Sequence, residues 1–194
     1  MESNWKNYHE NTSGEYPPRP FLVKAIPYVF EKKEALDLGG GALNDCKYLL
    51  REGFEHITVV DIEEGVKERV EEISDNRVDV EITPFDNFDF PENKYNLINA
   101  QYSLPFHGPE VFDGLINKIV NSLKAGGVFT GQFFGKNDQW NKESSSLVFH
   151  IKEDALSLLK DLEIIEFQEE EKDGTTASGN TKHWHIFNFI ARKK

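Results

Sequence analysis

From Glu34 onward, short apolar runs rich in β-branched residues alternate with stretches of helical period. This alternation is the tightest constraint on the fold. Strands joined through helices pair in parallel and carry helices on both faces. The runs expected as strands are residues 34–38, 56–61, 78–83, 95–100, 128–134, 163–168 and 183–191, with helices at 44–52, 63–74, 110–123 and 152–162. In the third run Val78, Val80 and Ile82 alternate with Asp79 and Glu81, as strand residues do. Gly53 and the pair Gly126-Gly127 follow helical stretches as stop signals. The last two runs have no helix between them. The segment joining them, residues 169–182, is charged and then Gly/Ser/Thr-rich, so a hairpin sets the final strand antiparallel. The expected architecture is α/β, a seven-stranded, mostly parallel sheet with an antiparallel last strand and helices on both faces.

With 194 residues, no internal repeat and no separate linker, the chain is expected to form one domain, 1–194. Residues 1–20 are polar with scattered aromatics and end in Pro17-Pro18-Arg19-Pro20, which suits an N-terminal arm or lid rather than a regular element. A helix over 21–30, bent or ended by Pro27, leads to a core at 34–194. Formal net charge is -12, from 34 acids against 22 bases, so a polyanionic partner would be repelled and nucleic acid is not an expected partner. The one cysteine, Cys46, rules out an intrachain disulfide and fits a reducing compartment. Residues 1–9 are polar, with no apolar stretch of signal-peptide type, and no run is long enough to cross a bilayer. The reading is a soluble cytoplasmic protein with no membrane partner.

The chemistry starts at Ala35-Leu-Asp-Leu-Gly-Gly-Gly-Ala-Leu-Asn-Asp45. In an open α/β sheet, ligands bind beyond the carboxyl ends of the strands, where strand order reverses. Glycine lets backbone turn with positive φ and approach a ligand closely, so Gly39, Gly40 and Gly41 form a candidate ligand-facing turn. Asp61 ends the next strand, where a carboxylate can accept hydrogen bonds from both hydroxyls of a ribose. A tight turn without a ligand, and a helix cap for Asp61, are the plainer readings of each feature taken singly. A dinucleotide fingerprint lacks its third glycine, since Asn44 stands there, and the Lys-Ser/Thr of a phosphate loop is absent. Asp37, ahead of the glycines, would repel phosphate and attract a cation. A ligand with a ribose, an ammonium and a positive centre fits, and S-adenosylmethionine has all three.

The series Asp37-Leu-Gly-Gly-Gly, Val59-Val-Asp-Ile62, Tyr95-Asn-Leu-Ile-Asn-Ala100 and Leu123-Lys-Ala-Gly-Gly127 resembles class I S-adenosylmethionine-dependent methyltransferases, in their order and spacing, over roughly residues 34–135. Within the family the likeness is to small-molecule methyltransferases of the tellurite-resistance type. The resemblance implies a Rossmann-like fold and S-adenosylmethionine as cofactor. It implies that Asp37 and the backbone of Gly39, Gly40 and Gly41 line the methionine half, that Asp61 holds the ribose, and that Ile62 packs on adenine. It also implies that Asp86 accepts the adenine amino group beside Phe85, and that residues 99–102, Gln101 among them, sit under the methionine. The family often has a third glycine where this chain has Leu43, so the turn must be shaped differently.

The acceptor side is expected above the fourth and fifth strands. Residues 101–107, 132–140 and 182–185 are rich in His, Trp, Tyr and amide side chains and converge there. The arm, with Trp5, Tyr8, Tyr16 and Arg19, is placed to cover them, and Arg19 could reach the cofactor carboxylate. His107, His183 and Tyr102 are the candidate catalytic residues. His183 and His185 share a strand face but find no third ligand at a convincing spacing, so no metal is expected. Tyr102 and Phe106 can equally be core, Trp140 a loop anchor, and Glu169-Glu-Glu171 a solvated strand end and loop. The expected function is methyl transfer to a small-molecule acceptor. The alternatives are a non-catalytic S-adenosylmethionine-binding module and, more remotely, an NAD-dependent oxidoreductase.

Overall fold

The computed structural model describes residues 16–142, 144, 146–176 and 179–194. Most of the expected arm, with Trp5 and Tyr8, lies outside the described residues. Pro17 to Arg19 are extended, and helix α1 begins at Pro20, where a proline sits comfortably because a first-turn N–H has no helical partner. It covers Pro20–Ala25, shorter than the sequence implied. Pro27 converts the next residues, Ile26–Tyr28, into a 3-10 turn.

The core elements follow as β1 (Glu34–Leu38), α2 (Asn44–Arg51), β2 (His56–Asp61), α3 (Gly65–Ile73), β3 (Val78–Ile82), β4 (Tyr95–Ala100), α4 (Pro109–Ser122), β5 (Leu123–Gly135), β6 (Phe149–His150), α5 (Lys152–Leu158), β7 (Leu162–Thr175) and β8 (Thr181–Lys193). They form one sheet in the order β3-β2-β1-β4-β5-β8-β7. All pairings are parallel except those of β8, which runs antiparallel to both β5 and β7. The short β6, not foreseen from sequence, pairs with the far end of β5 and makes the sheet eight-stranded.

Strand alternation divides the core in two. Leu36, Leu38, Ile98, Phe129 and Phe133 pack with α4 and α5 through Phe112, Leu115, Ile116, Ile119 and Ala155. Ala35, Val59, Leu97, Val128 and Ile190 pack on the other face with α1, α2 and α3 through Leu22, Ala25, Cys46, Leu49 and Val66. Each Val, Leu, Ile or Phe among them contributes about 1.5–3 kcal/mol relative to exposure, and each Ala less.

Two element boundaries moved for identifiable reasons. Gly126-Gly127 reads as a helix stop, yet β5 starts at Leu123, directly after α4. The glycines form an irregularity inside the strand: Gly126 has φ 78, a Cβ on Gly127 would lie 2.8 Å from the Tyr95 carbonyl oxygen, and the β4–β5 register shifts between Tyr95 and Leu97. The hairpin is also much longer than expected. Glu169, Glu171 and Asp173 are strand residues, opposite Phe187, His185 and His183. Their charges find partners across the strand pair, as described below.

Candidate active site

Strand order reverses between β1 and β4, so the crevice opens at their carboxyl ends. Asp37 and Asn99 are register partners there. After β1 the chain turns through Gly39 (φ 84) and Gly41 (φ 51). Both need the left-handed region that side chains avoid. A Cβ on Gly39 would lie 2.6 Å from Cβ of Ser103, and one on Gly40 2.3 Å from a methyl of Val59. The first glycine therefore lets the loop after β4 approach, and the second lets the turn lie flat on β2. Leu43, in place of the family's third glycine, takes the left-handed conformation itself, at φ 62, as the residue before α2. Its side chain is fully buried, which offsets that strain.

Around the turn is a cluster of buried polar groups. The Asn99 amide donates to Asp37 Oδ1 (2.8 Å) and to Asp45 Oδ2 (3.1 Å). The Arg19 backbone N–H donates to Asp45 Oδ1 (2.8 Å), which ties the start of α1 to the first turn of α2. Burial, reinforced by the charge of Asp45, pushes the Asp37 carboxyl up to about 8. Burial also raises Asp45. Among the described residues no donor reaches Asp37 Oδ2 or Asn99 Oδ1, though both are buried. Two unsatisfied oxygens on a hydrogen-bonded pair of side chains call for a group that brings donors.

Asp61 faces the same turn from β2. Its Oδ2 accepts from the Gly41 N–H (2.9 Å) and its Oδ1 from the Glu63 N–H (3.0 Å), leaving lone pairs on both oxygens. Asp61 does not cap α3, whose N-cap is Glu64. Ile62 beside it is 59% exposed. Asp86 is exposed on the 3-10 turn Phe85–Asn87 after β3. Phe85 is buried and stacks on His107, ring centroids 4.5 Å apart. Burial lowers the His107 pKa, against the pull of Asp86. His107 thus sits with Phe85.

Gln101 is buried between strands. Its amide oxygen accepts from the Gln132 amide, and Gln132 Oε1 accepts from the Tyr102 N–H (2.7 Å). This holds Tyr102 at φ 56, with its ring under the Arg19 guanidinium (4.8 Å) and edge-on to Trp184 (6.0 Å). His183 is elsewhere. Alternation along β8 puts it on the face opposite Trp184, hydrogen-bonded to Asp173 (2.7 Å) and Glu171 (3.1 Å), and those carboxylates raise its pKa. Tyr102, Arg19 and Asp37–Asn99 are therefore linked to one another, while His107 stacks on Phe85, which borders the Gly39 turn, and His183 pairs with the acids of its own hairpin. Among the described residues no group of three or more His, Cys, Asp or Glu side chains is placed to hold a metal ion.

Residues 35–127 match the methyltransferase-domain family. The matched segment, just under half of the chain, runs from β1 into the start of β5. Solved structures share its fold. TehB from Haemophilus influenzae superposes with TM-score 0.74 at 19% identity, over 89% of this chain and 61% of that one. The Burkholderia thailandensis 1,6-didemethyltoxoflavin-N1-methyltransferase, solved with 1,6-didemethyltoxoflavin and S-adenosylhomocysteine, gives 0.76 at 18% identity, over 99% and 84%. The N-methyltransferase NodS from Bradyrhizobium japonicum gives 0.68 at 14%, over 89% and 92%. The chain thus spans about three fifths of the TehB chain and most of the other two. A search of curated proteins gives no match.

Asp37, Gly39, Gly40 and Gly41, expected from sequence to face the ligand, lie at the switch point, with Asp61 bonded to the same turn from β2. Asp45 was not singled out from sequence, and Asn99 and Gln132 were placed only within stretches, because their contacts depend on register. No described helix is long and apolar enough to cross a membrane.

Proposed function

We propose that this chain transfers the methyl group of S-adenosylmethionine to a small-molecule acceptor in the cytoplasm. The observation that carries the reading is the pair of buried acceptors without donors, Asp37 Oδ2 and Asn99 Oδ1, beside the glycine turn at the switch point. An ammonium supplies the donors that both lack. The methionine end of this cofactor has one. The pyrophosphate of a dinucleotide brings acceptors rather than donors and would leave both atoms unmatched, which disfavours the NAD reading.

In this reading Asp37 and Asn99 hold the ammonium, and the backbone of residues 39–41 lies along the methionine. Arg19, stacked on Tyr102, binds the carboxylate. Asp61 accepts the ribose hydroxyls with the lone pairs that Gly41 and Glu63 leave, Ile62 supports adenine, and Asp86 takes the adenine amino group beside Phe85. Gln101 works from beneath, through Gln132, by fixing the Tyr102 backbone. When bound, the cofactor supplies an electrophilic methyl on a sulfonium, so the protein's part is to orient the acceptor and exclude water. Tyr102 is the residue best placed to orient it. His107, kept neutral by burial, is available to accept a proton. His183 is engaged by its own hairpin.

The chain is acidic, with net charge -12, which favours a small acceptor over nucleic acid. The test is transfer from methyl-labelled S-adenosylmethionine into a low-mass filtrate of a cell extract, with nucleic acid and protein fractions in parallel. Label in the low-mass fraction, lost in Asp61→Ala, is expected. Label confined to macromolecules would overturn the small-molecule reading.

A further inference from the structure

The loop after β5 is held by a buried ion pair that the cofactor reading does not use. Asp138 is 1% exposed and Lys182, at the start of β8, is 2% exposed. Asp138 Oδ2 accepts from Lys182 Nζ (2.5 Å) and from the His185 N–H (3.2 Å), while Oδ1 accepts from the Trp140 N–H (3.0 Å). Two further bonds tie the loop to β8: the Asn137 N–H donates to His185 Nδ1 (3.1 Å), and the His183 N–H to Gln139 Oε1 (3.2 Å). The His185 tautomer follows. With Nδ1 accepting, the proton sits on Nε2 and is donated to Glu169 (3.1 Å). The ring needs Gly135 beneath it, since a Cβ there would lie 2.1 Å from Nδ1.

The Lys182 ammonium lies inside three aromatic rings, 3.6 Å from Trp184, 4.2 Å from Trp140 and 5.3 Å from Phe134. Two of these rings continue towards the end of β4: Trp184 meets Tyr102 at 6.0 Å and Trp140 meets Phe106 at 6.2 Å. Neither main core cluster includes Phe134, Trp140 or Trp184. An apolar pair would fill this space at no desolvation cost, and buried ion pairs are seldom the most stabilising choice. What the pair adds is direction. One carboxylate collects three donors from two segments and leaves the loop a single register.

We propose that Asp138 and Lys182 are positioning residues for the methyl acceptor: their pair sets Trp140 and Trp184 against Phe106 and Tyr102 and so fixes an aromatic wall on the acceptor side. The inference rests on the reading above, in which Tyr102 borders the reacting methyl. It predicts that the pair governs acceptor use and not cofactor binding.

Lys182→Met keeps the stem and leaves Asp138 its two backbone donors; Asp138→Asn keeps shape and removes the charge. Each is made in the full chain and read three ways: trypsin cleavage at Lys136 and Lys142 under native conditions, affinity for S-adenosylhomocysteine, and methyl transfer into the low-mass filtrate. Expected are cleavage and loss of transfer each changed by about tenfold or more, with the dissociation constant within about twofold of wild type. Unchanged cleavage, or affinity falling together with transfer, overturns the proposal. If one variant fails to fold, the other carries the test. Wild-type protein that binds S-adenosylhomocysteine but labels no small molecule refutes the acceptor reading separately, and cleavage and affinity still decide what the pair holds in place.

Discussion

Asp37→Asn should make the protein more stable while weakening cofactor binding, and the gain should grow with pH. Burial and Asp45 raise the Asp37 carboxyl from 3.8 to about 8. A group whose pKa is raised on folding contributes stability that is fully present below its unfolded value and is lost as pH rises through the folded value. For Asp37 that window runs from about 4 to about 8. Each pH unit is about 1.4 kcal/mol, so at pH 7 the loss approaches roughly 4 kcal/mol as an upper limit, shared with the coupled Asp45. Asparagine has no charge to desolvate and keeps an oxygen for the Asn99 amide. A realised gain of about 1–3 kcal/mol at pH 8 is expected, or roughly 3–10 °C in Tm for a chain of this size, shrinking towards zero near pH 4. Thermal unfolding of both proteins at half-unit pH steps measures it. A Tm difference that does not change between pH 5 and 8, or a variant less stable at pH 8, would refute the argument. The same variant should bind S-adenosylhomocysteine about 10–100-fold more weakly, by loss of a charged hydrogen bond.

Removing Asp45 as a charge should lower the Asp37 pKa, so in Asp45→Asn the rise of cofactor affinity with pH moves to lower pH, measured by titration from pH 6 to 9. Gly39→Ala combines positive φ with a 2.6 Å approach to Ser103 and should cost about 1–3 kcal/mol of stability by denaturant unfolding, with weaker cofactor binding. Leu43→Gly relieves a left-handed leucine but empties a fully buried site; the lost packing is the larger effect, and a net loss of about 1–3 kcal/mol is expected by the same assay.

How far the sequence disclosed this protein depends on what kind of information each feature carries. Asp37, the glycines and Asp61 were readable because strand ends in an alternating chain mark the ligand side whatever the details of packing. Asn99 and Gln132 were placed only within stretches and Asp45 not at all, because their contacts depend on which strand lies beside which and in what register. Glu169-Glu-Glu171 read as a solvated strand end and loop. The acids are exposed, but the strand runs on through Asp173, and Glu169, Glu171 and Asp173 bond His185 and His183 of the partner strand. Leu43 hid a left-handed turn, since its apolar side chain signals burial and says nothing of backbone. Lys182 read as a polar strand start, and only its contact with Asp138 shows it buried.

The central claim is that the crevice between β1 and β4 binds an adenosyl cofactor through Asp37, Asn99 and Asp61. The most direct measurement is calorimetric titration of wild type, Asp37→Asn and Asp61→Ala with S-adenosylhomocysteine, and of wild type with NAD. The account predicts one-to-one binding of S-adenosylhomocysteine by wild type, its loss or marked weakening in both variants, and no heat with NAD. Absence of S-adenosylhomocysteine binding by folded wild-type protein, or undiminished binding in both variants, would contradict it.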